Sequence, residues 1–188
     1  FDIPIKVLLW GWLPWTVKEK GYRSIHGPVM KTDHGTYAVR YAGMDEIRQV
    51  EQWLAMSAAT SFTEWQAAIS LQHIASFNFV YANADGDIHF IHNAMMPKRA
   101  VGWRWDQYLP GNRSDLIWQR YLPTADLPSV TNPPSGYVHS ANQSPFRVSS
   151  TGSNPDQANY PQESGWPTRM TNRAVRGLEL LDANPALS

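Results

Sequence analysis

Six histidines, one Ser-x-His cluster and one pair of nearby aspartates are the side chains here whose types could do chemistry by themselves. His89 and His92 fall three apart in a stretch that reads as a strand, where side chains alternate between faces. They should point to opposite sides and cannot chelate one ion without a bulge. The other histidines have no ligand spacing and H-E-x-x-H is absent, so no metal site is expected from these residues. Ser24-Ile25-His26 sets nucleophile and base too close for the usual triad and reads as a strand end, and G-x-S-x-G is missing. Asp85 and Asp87 flank Gly86 and read as turn formers. Without cysteine there is no thiolate nucleophile, disulfide or thiolate metal site. No G-x-G-x-x-G or P-loop supports a nucleotide cofactor.

The bulk properties narrow the classes further. A length of 188 residues suits one domain or a large part of one. Sixteen basic residues balance sixteen acidic ones, so no field favours polyanions and nucleic acid is not an expected partner. No apolar run approaches the roughly 18 residues of a membrane span. Phe1 to Trp15 is apolar but carries Asp2 and Lys6 and lacks a basic leading region, so a signal peptide is not expected there. Nine Trp and fourteen Pro are unusual. Trp10, Trp12, Trp15, Trp103, Trp105 and Trp118 stand in loop-like context, and such rings more often pin loops onto a core than line a pocket.

Positioning elements can be read from periodicity. Ile3, Ile5 and Val7 alternate as in a strand, and Trp15 to Lys18 and Tyr37 to Arg40 look similar. Residues 45–57 predict a helix with Ile47, Val50 and Leu54 on its packed face, Met44 and Trp53 flanking, and Asp45 and Glu46 at its positive end. Ser61-Phe-Thr-Glu64 matches a capping box opening a second helix, with Trp65, Ala68, Ile69 and Gln72 on one face. Phe77 to Tyr81, the turn Asn83-Ala-Asp-Gly86 and Asp87 to His92 predict a hairpin. Residues 94–166 read as irregular, and such long connections are usually functional or belong to a larger assembly. Thr168 to Leu181 predicts a closing helix with Pro185 as its stop. The sum is an α+β chain with long irregular loops.

Four segments in order resemble the penicillin acylase family of N-terminal-nucleophile hydrolases, which includes N-acyl-homoserine lactone acylases. They are Tyr22-Arg-Ser-Ile-His-Gly-Pro-Val29, Asn78-Phe-Val-Tyr-Ala-Asn-Ala-Asp-Gly-Asp-Ile88, Asn132-Pro-Pro-Ser-Gly-Tyr-Val138 leading into Ala141-Asn-Gln-Ser-Pro145, and the closing helix with Arg173 and Arg176. Pro97-Lys-Arg99 falls where the family has a similar P-x-R, and Leu109-Pro-Gly where it has a loop to the substrate pocket.

The resemblance implies a parent with a four-layer αββα sandwich, of which 1–188 is a single partial domain internal to the large chain. It implies hydrolysis of linear amides, of penicillin, cephalosporin or acyl-homoserine lactone type, through an acyl-enzyme on an N-terminal Ser exposed by self-cleavage. The serine's own α-amine serves as base, which its near-neutral titration permits. Phe1 is no such nucleophile, so the nucleophile and one backbone oxyanion donor are expected upstream, and this piece alone is expected to be inactive. Asn142 corresponds to the oxyanion-hole asparagine, a neutral amide donor. Gln143 stands where a second Asn is usual. Arg173 corresponds best to the orienting arginine, with Arg169 and Arg176 nearby on the helix pattern. No cofactor is required. Ca2+ is conceivable in the full-length protein, though no residue here matches its ligands. Partners are then a small-molecule amide and the remaining segments of the parent, and by analogy the location is periplasmic or secreted. Rival readings are a Trp-rich carbohydrate-binding module and a pseudoenzyme scaffold.

Overall fold

The computed structural model describes residues 1–184. The expected stop at Pro185 lies outside the described residues. The chain forms two compact units: Phe1–Tyr41 with Leu109–Ile117, and Ala42–Tyr108 with the chain from Trp118 onward. The expectation of one partial domain concerns the parent's boundaries, which these units do not address.

The first unit is built of antiparallel strands. β1 (Asp2–Leu9) pairs with β2 (Leu13–Lys20), setting Ile5 opposite Val17 and Val7 opposite Trp15. The reversal needs two consecutive residues at positive φ, Trp10 at 52° and Gly11 at 80°. Glycine takes this conformation freely, whereas a tryptophan there is strained. Trp10, Trp12 and Trp15 are 82%, 72% and 56% exposed, so they do not pin loops onto a core. They sit at or near the tip of a two-stranded ribbon, where the unit has little body for them to pack on. β3 (Tyr22–Ser24), β4 (Gly27–Thr32) and β5 (Gly35–Ala38) form a meander. Ser24 and His26 lie in its first turn, where the His26 backbone N–H donates to Ser24 Oγ at 3.1 Å. The His26 ring instead meets the Gly111 carbonyl at 3.1 Å, so the two side chains are not coupled as nucleophile and base.

The second unit holds the core. β6 (Ser76–Ala82) and β7 (Ile88–Ala94) form the expected hairpin, and β8 (Ser129–Thr131) joins β7. β8 was not foreseen, since three residues carry no measurable period. Asn83 closes the hairpin turn: its Oδ1 accepts from the Asp87 N–H at 2.8 Å, and its Nδ2 donates to Asp87 Oδ2 at 3.0 Å. Asn132 completes the cluster, donating to Asp87 Oδ1 at 3.0 Å and accepting from the Ile88 N–H at 2.8 Å. These donors hold the Asp87 carboxyl below its usual range, Asn132 contributing most. The first residue of the Asn-Pro-Pro-Ser-Gly-Tyr motif is thus a latch between β8 and β7.

α2 (Phe62–Ile69) starts as its sequence dictates, the Glu64 N–H donating to Ser61 Oγ at 3.2 Å. The Glu64 carboxylate reaches one residue further back than a standard capping box and accepts from the Thr60 N–H at 2.7 Å. Trp65, Ala68 and Ile69 are buried, and Trp65 and Ile69 join Ile74, Phe79, Ile91, Leu127, Phe146 and Trp166 in one apolar cluster.

α1 (Gln49–Ala58) departs from expectation in start and in face. It begins after Arg48 because Glu46 accepts from the Arg48 N–H at 2.8 Å and pairs with its guanidinium, locking 46–48 as a turn. The expected packed residues Ile47, Val50 and Leu54 are 91%, 67% and 65% exposed, and the buried residue is Gln52. Its Oε1 accepts from the N–H groups of His73 (2.7 Å) and Ile74 (2.9 Å), and its Nε2 donates to the Ile69 carbonyl (3.1 Å). Unpaired backbone groups just after α2 take the polar side chain inward and turn the apolar stripe out.

His89 and His92 occupy opposite faces of β7, as the alternation required. His89 lies beside Phe62 and Trp65 and meets Thr131 Oγ1 at 2.7 Å. His92 lies edge-on to Trp166. Burial pushes both down to about 4 from an ordinary 6.5. The folded protein therefore binds fewer protons than the unfolded chain across that window. Their contribution to stability is complete above about 6.5 and is lost as pH falls towards 4. Each is expected to cost on the order of 2 kcal/mol near pH 4, which urea midpoints at pH 7 and pH 4.5 measure, with His89→Phe removing part of the difference.

Candidate functional site

Two side chains separated by 31 positions in sequence meet where the chain bends at Asn142. α3 (Asn172–Ala183) is capped by Thr171, whose Oγ1 accepts from the Ala174 N–H at 3.2 Å. Ala174 and Leu178 face inward, which leaves Arg173 on the opposite, exposed side of the first turn. From there Arg173 Nη2 donates to the Ala141 carbonyl at 2.9 Å and to Asn142 Oδ1 at 3.0 Å. Arg176 instead pairs with Glu179 at 2.9 Å. Arg169 enters only through its carbonyl, which accepts from the Ser144 N–H at 3.1 Å. Of the three arginines, Arg173 reaches the asparagine.

That contact settles which way the Asn142 amide points. A guanidinium can only donate, so the amide atom facing it must be the oxygen. The Nδ2 end is directed away from Arg173, and it makes no hydrogen bond among the described residues. Asn142 is exposed and has φ 60°, a left-handed conformation that asparagine tolerates better than most residues. The site therefore presents a neutral N–H donor whose oxygen is already engaged.

Gln143 holds the bend. It is 1% exposed; its Oε1 accepts from the Ala141 N–H and its Nε2 donates to the carbonyls of His139 (2.9 Å) and Arg147 (3.0 Å). Its side chain thus spans the left-handed residue and ties both ends of the loop together. Sequence comparison singled out Gln143 only as a departure from Asn, and this clamp had no signal in the sequence.

The sheet supports the same loop from the other side. Asn78 on β6 donates to the Gln143 carbonyl at 3.1 Å, and its Oδ1 accepts from His92 Nδ1 at 2.6 Å. The donor role fixes the His92 tautomer, because an amide oxygen cannot donate. His139 is a further neighbour that the sequence did not flag. Burial first, then the charge of Arg173, holds its pKa below the usual value. A Cβ on Gly177 would stand 2.5 Å from His139 Nε2, so only glycine lets α3 come this close to the ring.

Among the described residues, no three His, Cys, Asp or Glu side chains gather to hold a metal. The rings proposed as a sugar platform are half-buried, and Trp105 and Trp118 are tilted by 46° rather than coplanar. Trp105 Nε1 is also tied to the Ala100 carbonyl at 3.0 Å.

Comparison with known proteins identifies the class to which this mixed fold of helices and small sheets belongs. The profile of the penicillin amidase family matches residues 14–188, and the chain belongs to that family. It is 30% identical over 128 residues to Penicillin G acylase of Escherichia coli, covering 66% of this chain and 15% of that protein. The solved thermostable Penicillin G acylase from Alcaligenes faecalis, in orthorhombic form, is similar with a TM-score of 0.65 at 21% identity. That likeness covers 98% of this chain and 34% of the solved one. The chain therefore spans a minor share of the relatives it matches.

Proposed function

We propose that this chain forms part of an amidohydrolase that cleaves linear amides, and that Asn142 supplies an oxyanion donor. The observation that carries the reading is the Arg173 guanidinium engaging the Asn142 oxygen, which aims the amide N–H2 outward. When a hydroxyl attacks an amide carbonyl, charge develops on the oxygen, and a preorganised neutral donor stabilises it without reorganising. The attacking group is a Ser at a chain start outside these 188 residues, exposed by self-cleavage, with its own amine as base. Acid is released when water resolves the acyl-enzyme. Penicillin, cephalosporin and N-acyl-homoserine lactone amides are the proposed substrates, and a periplasmic or exported location follows by analogy with the family.

Further acylase sequence is the proposed macromolecular partner. Two exposed apolar surfaces support it, one on each unit. One is formed by Val50 and Leu54 of α1 with Ile47 in the turn before it. The other is the ribbon face bearing Ile3, Ile5, Trp15 and Val17, each more than 40% exposed. A two-stranded ribbon with an apolar face needs covering to persist in water.

Amide hydrolysis by the full-length protein and its Asn142→Ala variant tests the assignment, with acid release followed on each substrate type. Equal turnover by both refutes the donor role, and no turnover by either points to a catalytically silent scaffold. Arg173 acts through Asn142 and is a positioning residue. Arg173→Leu is expected to lower kcat about tenfold, equivalent to ~1.4 kcal/mol for one charge-assisted hydrogen bond. KM should hold steady, which steady-state kinetics will show.

A further inference from the structure

Arg99, in the Pro-Lys-Arg segment that the oxyanion assignment leaves unused, stands at a second site in the same unit. Its guanidinium carbon lies 5.3 Å from the Trp105 ring centroid and 5.4 Å from that of Trp118. One hydrogen bond, Nη1 to the Glu163 carbonyl at 3.1 Å, holds the group in place. Gly165 permits that approach: a Cβ there would stand 2.9 Å from Nη1. No carboxylate pairs with this cation among the described residues, and its Nε is buried without a partner. The nearby Arg104 differs, being neutralised by Asp106 at 2.8 Å. Beside Arg99 opens a cleft of about 400 Å³, lined by Trp103, Trp105, the Arg104–Asp106 ion pair, Glu163 and Gly165.

An unpaired, half-buried guanidinium is an unsatisfied group in the sense that desolvation has removed water without supplying a counter-ion. The N–H donors left on Nη1 and Nη2 lie in one plane, an end-on fork that a carboxylate meets with two oxygens. Indole walls favour an apolar or aromatic body attached to that carboxylate, and the volume falls in the range of small-ligand sites. We propose that the Arg99 cleft binds a small aromatic carboxylate, with the carboxylate on Arg99 and the ring against Trp103 and Trp105. The site is separate from Asn142 and does not depend on the oxyanion role.

Isothermal titration of the full-length protein with benzoate, and with benzamide as the isosteric neutral control, tests this. The expected result is one saturable benzoate site per chain and at least tenfold weaker benzamide binding. Arg99→Gln is expected to weaken benzoate at least tenfold while leaving benzamide unchanged, and Asn142→Ala is expected to bind benzoate like the parent. Equal binding of the two probes, absence of a saturable benzoate site, or full affinity in Arg99→Gln each overturns the proposal. If Arg99→Gln misfolds by circular dichroism, Trp103→Leu serves instead, with a loss of benzoate affinity expected and unchanged affinity overturning the ring placement.

Discussion

Asn142→Ala in the full-length protein is expected to lower kcat for amide hydrolysis by about 10²–10³, the usual loss for one oxyanion donor, or roughly 2.7–4 kcal/mol. KM should change little, since the donor matters most once charge has developed on the carbonyl oxygen. Thermal stability should fall only by the roughly 1 kcal/mol that alanine costs at this left-handed position, because Asn142 is exposed and its own side chain accepts only from Arg173. This separation is the diagnostic part of the experiment. A merely structural asparagine at a left-handed position would show the same small fall in melting temperature with kcat intact. Asn142→Asp adds a second check of different sign. An acidic side chain keeps the loop's shape and its contact with Arg173, and it places negative charge where an oxyanion must form, so activity should fall at least as far as in the Ala variant.

Gln52→Leu is expected to be the most damaging substitution to the fold. The side chain is 0% exposed, and its amide meets the N–H groups of His73 and Ile74 and the carbonyl of Ile69. Leucine nearly matches its volume but satisfies none of the three backbone groups. The Ile69 carbonyl keeps its bond from the Gln72 N–H at 3.3 Å, so two N–H groups are orphaned. Each buried orphan costs roughly 1–3 kcal/mol, so a loss of about 4 kcal/mol is expected. Hydrogen exchange localises it: the amides of His73 and Ile74 should lose protection before those of β6 and β7 do. Gln52→Glu discriminates further, as its carboxylate can still accept from both N–H groups but cannot donate to Ile69. It should recover part of the loss. A Leu variant with unchanged exchange at 73 and 74 would mean that α1 is not anchored through this residue.

The same residue shows where local reasoning stopped. Periodicity found α1, α2 and α3, although α1 and α3 start at Gln49 and Asn172, later than expected, and Gln72 lies beyond α2. It also found the β6–β7 hairpin with its Asn-Ala-Asp-Gly turn and the packed Trp65, Ala68 and Ile69 of α2, because each depends on neighbours within one or two turns. It failed on the face of α1. The stripe Ile47, Val50 and Leu54 is a good amphipathic signal, yet the three backbone groups that claim Gln52 come from 17 to 22 residues away. β8 and the role of Asn132 as a latch escaped for a similar reason, since both exist only through pairing with β7.

The sequence by itself determined the family, through motifs whose order spans nearly the whole chain, and with it Asn142 and Arg173 as the residues to watch. It also determined that His89 and His92 could not share an ion, since strand alternation is a local property. Tertiary structure alone decided that Arg173, not Arg169 or Arg176, reaches Asn142, and that Gln143 clamps the bend around it. It alone left Arg99 without a counter-ion beside two indoles. The physical reason is common to all three: a side chain's partner is set by where distant backbone arrives, and hydrogen-bond direction and desolvation act only once those segments have met.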